Sequence, residues 1–200
     1  MSGARPRIAL VVGSTRRSRF ADFPLAWLRE QLGARDDLEL TVIDVREVGL
    51  PFYDLPNAPA YAPRQYSSEP ERALGERLDA ADGFLFLANE YNHGYGGALK
   101  NMLDHYFAEF EHKPAAFFGY GNVGGSRAIE QLRQVVAELN MVSVRESLHI
   151  FGMQFPAVRE GGAAAAEVFD ALEPRLTKMT DHLLWWARAL MAARAGDLAG

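Results

Sequence analysis

Three glycine-bearing turns, each directly after a short apolar run and before a helical pattern, constrain this chain more than any other feature. They are Gly13-Ser14-Thr15-Arg16-Arg17-Ser18-Arg19, Glu90-Tyr91-Asn92-His93-Gly94-Tyr95-Gly96-Gly97 and Gly119-Tyr120-Gly121-Asn122-Val123-Gly124-Gly125-Ser126-Arg127. A strand that ends in a turn opening a helix is the unit from which a parallel α/β sheet builds a ligand crevice at its carboxyl edge. The chemistry of the chain is expected at these turns.

Around them, apolar runs alternate with helical patterns. Ile8 to Val12, Leu38 to Val45, Phe84 to Ala88, Ala115 to Phe118 and Val142 to Ile150 read as strands. Helices are expected over Phe20 to Leu32, Pro70 to Ala81, Gly97 to Phe110, Ser126 to Asn140 and, as one long amphipathic element, Ala163 to Arg194. Residues Asp54 to Glu69, with Pro56, Pro59 and Pro63, form a long irregular connection of the kind that is often functional. Five strands are too few for a closed eight-stranded barrel, which needs more chain. The expected fold is therefore an α/β three-layer sandwich with a five-stranded parallel sheet in the flavodoxin-like order 2-1-3-4-5, as one domain over residues 1–200. In that order strands one and three are neighbours, so the first two turns flank one crevice and the third borders it.

Composition narrows the function. The net charge of −5 argues against a nucleic-acid footprint, which needs a basic face. There is no cysteine, so thiolate nucleophiles, cysteine-held zinc and iron–sulfur clusters are excluded, and redox chemistry would have to come from a bound cofactor. The run Ile8 to Val12 is too short for a secretory signal, and no stretch has the length to span a bilayer. A cytoplasmic protein is expected.

The first turn carries hydroxyls and arginines around a single glycine. A pyrophosphate fingerprint would need further glycines, whereas a terminal phosphate monoester suits Ser14, Thr15, Arg16, Ser18 and Arg19 at the positive end of the following helix. The competing reading is a solvated basic loop capping a helix. In the second turn, Glu90, Tyr91, Asn92, His93 and Gly94 could border a flat ring through main-chain atoms, with Tyr91 able to stack. His93 is a candidate general acid, but a lone turn histidine is more commonly a surface residue. Glu90 and His93 form a carboxylate–histidine pair that occurs once, in a loop, so no metal site is expected. Lys100 and Asp104 are spaced to pair on a helix. In the third turn, Tyr120, Gly121, Gly124 and Gly125 would wall the opposite ring edge.

At these residues the chain resembles the NADPH-dependent FMN reductase family of flavodoxin-like proteins. The family's Gly-Ser-x-Arg is matched at Gly13, Ser14 and Arg16, with Arg19 similar to an arginine-bearing variant. Its Pro-Glu-Tyr-Asn and later Leu-Lys-Asn are matched at Glu90, Tyr91, Asn92, Leu99, Lys100 and Asn101, and its Gly-x-x-Gly-Gly-x-Arg-Ala at Gly121, Gly124, Gly125, Arg127 and Ala128. Two departures stand out. Asn89 replaces the usual proline before Glu90, and Gly96 stands where proline is common, so a more mobile loop is expected. Tyr120 takes the place of a frequent serine, where it could narrow the pocket or stack on a substrate.

The resemblance implies FMN and NADPH as cofactors, no catalytic side chain, and hydride passing from NADPH to flavin and on to a small-molecule acceptor: flavin, quinone or azo compound. It also implies a homodimer or homotetramer with the flavin near a subunit interface. Tyr106, Phe107 and Phe110 could supply apolar contact there or pack in the core. The alternative is a flavodoxin-like electron carrier or an FMN-binding sensor without NADPH turnover.

Overall fold

The computed structural model describes residues 4–196. Its sheet is built from β1 (Arg7–Val12), β2 (Glu39–Asp44), β3 (Gly83–Tyr91), β5 (Pro114–Gly121) and β6 (Val142–Phe151), all parallel in the order β2-β1-β3-β5-β6. This is the expected 2-1-3-4-5 arrangement with one addition. The short β4 (Gly94–Tyr95) folds back antiparallel on β3, turning the second glycine-bearing turn into a hairpin.

Helices α1 (Asp22–Gly33) and α8 (Glu173–Arg194) cover one face of the sheet, and α3 (Glu69–Asp79), α4 (Gly97–Asp104) and α5 (Ser126–Glu138) cover the other. Along β3, Leu85 and Leu87 pack with Leu28, Met179 and Leu183, while Phe84, Phe86 and Ala88 pack with Leu78, Met102 and Leu132. A strand buried on both faces has no reason to alternate, which is why Phe84 to Ala88 reads as an unbroken apolar run. A one-turn helix, α2 (Val45–Val48), follows β2 directly, its start capped by the Asp44 carboxylate, which accepts from the Arg46 N–H at 3.0 Å.

Two helices differ from expectation. The one expected over Gly97 to Phe110 stops at Asp104, and Tyr106 and Phe110 turn fully into the core. The one expected over Ala163 to Arg194 is two, α7 (Gly162–Asp170) and α8, preceded by the unanticipated α6 (Phe155–Glu160). Pro174 lies in the first turn of α8, where its missing N–H is tolerated and where the preceding helix cannot run through it. Among the described residues, no helix is long and apolar enough to cross a membrane and no acid, histidine or cysteine cluster could hold a metal ion.

Candidate functional site

The three turns meet at the carboxyl ends of β1, β3 and β5, adjacent strands of the sheet. Each is braced by a charged side chain that the sequence offered as ligand or surface decoration. Arg19 is the clearest correction. Expected to neutralise a phosphate, it is only 4% exposed and lies under the first turn. Its guanidinium donates to both Asp44 carboxylate oxygens at 2.7 and 2.5 Å, to Asp22 at 2.7 Å and to the Ser14 carbonyl at 2.7 Å. Burial opposes the charge of both partners, but the bidentate contact outweighs it, raising the Arg19 pKa and holding the Asp44 carboxyl below the usual carboxylate range. Arg19 thus shapes the turn, while Thr15, Arg16, Arg17 and Ser18 remain exposed above it and Ser14 is buried. Asp44 escaped the sequence reading. The signal for it was positional, because a carboxylate at the carboxyl end of β2 must stand one strand away from an arginine-rich turn after β1.

A second brace joins the other two turns. Glu90 accepts from the Arg127 backbone N–H at 3.2 Å and from its Nε at 2.7 Å, with the terminal guanidinium nitrogen also in contact. Arg127, though partly exposed, is therefore paired, and the Glu90 carboxylate is spent on it. Asn92 and His93 form the two-residue hairpin tip with φ of 47° and 76°. Two consecutive residues in the left-handed region are the geometry of a type I′ turn, which matches the twist of the flanking strands. His93 is exposed at the edge of the cleft between the second and third turns, and its carbonyl accepts from Gln131 Nε2 at 3.0 Å. Tyr91 beside it is 41% exposed.

The third turn depends on Gly124 and Gly125, with φ of 71° and 70°; a Cβ on Gly125 would stand 2.6 Å from the Tyr120 nitrogen. His149 on β6 holds this turn from below. Its Nδ1 donates to the Gly124 carbonyl at 2.8 Å, so its Nε2, 2.8 Å from Ser147 Oγ, accepts from the hydroxyl. Burial pushes the His149 pKa down, against the pull of the Gly124 carbonyl, and keeps the ring in this neutral form. Tyr120 is buried with its ring against Phe20 at 5.4 Å, so stacking on a substrate is closed to it.

The two departures at Asn89 and Gly96 prove to be one feature. A Cβ on Gly96 would lie 2.9 Å from Asn89 Oδ1, so the glycine makes room for the carboxamide, and the pair packs rather than loosening the loop. Among the described residues, the buried side-chain polar atoms without a partner are the Asn89 amide and the Tyr120 hydroxyl, on cross-strand neighbours at this same end of the sheet. Native interiors satisfy such groups, so their concentration here marks the place where the protein alone is incomplete.

The donor set fits a flavin mononucleotide. Exposed hydroxyls and arginines crown the first turn, with no acidic partner for Arg16 or Arg17 among the described residues, and main chain and glycines surround the second and third. Between those last two lies a cleft of about 380 Å³ bordered by Asn92, His93, Gly121 and Phe155, with the Glu90–Arg127 pair in its wall.

The model of the NADPH-dependent FMN reductase family matches residues 6–155, which contain all three turns. The chain belongs to the NADPH-dependent FMN reductase family. An NAD(P)H-dependent FMN reductase of a Nectria species is 34% identical to it, over 64% of this chain and 66% of the relative. One of Schizosaccharomyces pombe is 32% identical over 68% of each. A 2-hydroxy-1,4-benzoquinone reductase of a Burkholderia species is 34% identical over 70% of this chain and 75% of that protein. The fold is also that of a flavoenzyme NAD(P)H:acceptor oxidoreductase of Paracoccus denitrificans, with a TM-score of 0.66 at 21% identity over 92% of this chain and 98% of the other.

Proposed function

We propose that this family member oxidises NADPH through FMN and delivers the electrons to a small flat acceptor such as a quinone. The observation that carries the reading is the division of the crevice into an end with free cations and hydroxyls and an end of braced, neutral main chain. Thr15, Arg16 and Ser18 would hold the phosphate, with Arg17 beside them and Arg19 keeping the turn in shape. Tyr91 to Gly94 and Gly121 to Gly125 would border the ring. Bound FMN supplies the hydride acceptor. The protein's own part is to position the rings and exclude competing geometries, so no acid–base side chain is required.

The similarity to a benzoquinone reductase supports a quinone acceptor. The outward arginines of the first turn weigh against a carrier without turnover. Self-association as a homodimer or homotetramer belongs to the same reading, with exposed Tyr91, Phe151 and Met153 offering apolar surface rather than the core residues Tyr106 and Phe110. We place the enzyme in the cytoplasm.

Coenzyme and acceptor would use one open ring face in turn. Initial rates with NADPH and a quinone both varied are therefore expected to give parallel double-reciprocal lines. Intersecting lines with a demonstrable ternary complex would overturn the shared face, and no oxidation of NADPH in the presence of FMN would overturn the function.

A further inference from the structure

The Leu99-Lys100-Asn101 stretch lies within the family match, and two of its side chains have protein partners of their own. Lys100 pairs with Asp104 at 2.6 Å, as its spacing predicts. Asn101 donates from Nδ2 to the Pro51 carbonyl at 2.8 Å and accepts at Oδ1 from the Tyr53 N–H at 3.2 Å. One carboxamide thus clamps the chain on both sides of Phe52. His105 Nε2 lies 3.0 Å from the same Pro51 carbonyl, its Nδ1 lies 2.9 Å from Glu71, and the edge of its ring meets Tyr53 with centroids 5.1 Å apart. Glu71 is held in turn by the Ser67 N–H and hydroxyl at 2.5 and 2.6 Å. All this order supports a phenylalanine that is 86% exposed. A large apolar side chain fixed in solvent is a contact surface whose ordering cost has been met in advance.

Phe52 stands on the rim of a cleft of about 690 Å³, with Val45, Leu50 and Ala98 in its walls and Thr15 and Arg46 as polar groups. Thr15 belongs to the first turn. Gly97, also in the wall, closes the same hairpin whose tip borders the ring-end cleft, so one turn contributes residues to both clefts. Arg46 is only loosely paired, 3.7 Å from Asp44 and 4.0 Å from Asp22, because Arg19 takes Asp44 first. The cleft therefore combines an aromatic platform with an available guanidinium, and Thr15 in its wall is followed directly by Arg16 and Arg17 of the first turn. That combination suits a purine carrying a phosphate.

We propose that this cleft receives the adenosine 2′-phosphate half of NADPH, with Phe52 stacking on the adenine and Arg46 bonding the 2′-phosphate. The placement deepens the NADPH reading and rests on it. Adenosine 2′,5′-bisphosphate, which carries this half without the nicotinamide, is the probe, titrated calorimetrically into FMN-loaded protein. Arg46→Ala, Arg46→Gln and Phe52→Ser are each expected to weaken its binding about tenfold or more, as loss of a charge-assisted or stacking contact should. Trp185→Ala, an exposed aromatic on α8, should not. In turnover, Arg46→Gln should raise KM for NADPH and not for NADH.

Unchanged bisphosphate affinity in folded Arg46 and Phe52 variants overturns the placement while NADPH oxidation by the wild type still upholds the function. Dissociation of an oligomer by Phe52→Ser, with nucleotide binding intact, overturns it in favour of a second copy of this chain on Phe52. A wild type that oxidises neither coenzyme overturns the functional reading and this placement with it.

Discussion

The first turn and the joined second and third turns solve the same problem in opposite ways. Each is braced by an arginine, but the first turn buries its brace, Arg19 on Asp44 and Asp22, and keeps spare cations outside. The second and third turns spend their charged pair, Glu90 on Arg127, against each other and present uncharged main chain. The difference maps onto the two ends of a flavin mononucleotide, a phosphate dianion and a largely neutral ring. It also separates two jobs that look identical in sequence: Arg16 and Arg19 are three residues apart in one motif, and only one of them is free to meet a ligand.

Breaking the braces is the strongest way to test this contrast. Arg19→Ala leaves Asp44 buried without its partner and is expected to cost about 3–5 kcal/mol of stability. Glu90→Ala, whose partner Arg127 is partly solvated, should cost less, about 1–3 kcal/mol. Equal losses in chemical denaturation would erase the distinction between a buried and a half-open brace.

Arg16→Ala should do the reverse of Arg19→Ala. Folding should be unaffected while FMN binding weakens by about tenfold to a hundredfold, equivalent to roughly 1.5–3 kcal/mol for a charge-assisted contact. Riboflavin, which lacks the phosphate, should bind the variant and the wild type alike. Equal weakening for both ligands in fluorescence titrations would move Arg16 away from the phosphate.

Acid should separate the two ends by pH window. His149 is held neutral, with its pKa below the ordinary 6.5, so above that value its contribution is complete. As the pH falls beneath it the unfolded chain takes up the proton first, and the stability that comes from keeping the ring neutral is lost; a proton on Nε2 ends its acceptance from the Ser147 hydroxyl, while Nδ1 still donates to Gly124. Asp44 has a carboxyl pKa depressed below 3.8, so its stabilisation is complete above that value and disappears only as the pH falls through the lower, folded one. Flavin fluorescence and near-ultraviolet dichroism should therefore show ring-end changes in mild acid, before the first turn gives way. His149→Asn should remove the early phase, and its persistence would exclude His149 as the cause.

The smallest effect is expected at the hairpin tip. His93→Ala should retain most of the rapid-reaction rate of flavin reduction by NADPH, since hydride transfer needs no side-chain acid even from a residue at the edge of the ring-end cleft. A drop of roughly a hundredfold would restore His93 as a catalytic group.

Much of this was legible in the chain itself. Strand positions followed from apolar runs interrupted by turns, because burial on both faces of a parallel sheet leaves a pattern that local sequence carries, while their order came from the flavodoxin-like arrangement. The ends of the long helices were harder. One helix expected over Ala163 to Arg194 passes over Pro174, which starts a helix easily and continues one poorly and so marks the break between α7 and α8. Gly94 to Tyr95 is too short to announce itself as a strand and exists only through its pairing with β3.

Sequence alone determined the fold class, the three turns and the residue types gathered at one edge of the sheet, since these depend on periodicity and on backbone preferences within a few residues. Tertiary structure alone decided which charges face inward. Whether Arg19 meets a ligand or Asp44 depends on a partner 25 residues away, and the same holds for Glu90 with Arg127, 37 residues apart. The coupling of Asn89 to Gly96 and the clamping of Phe52 by Asn101 are decided the same way. A charged or polar side chain takes its role from whatever the fold brings within hydrogen-bond distance, and that distance is set by packing that no local stretch of sequence contains.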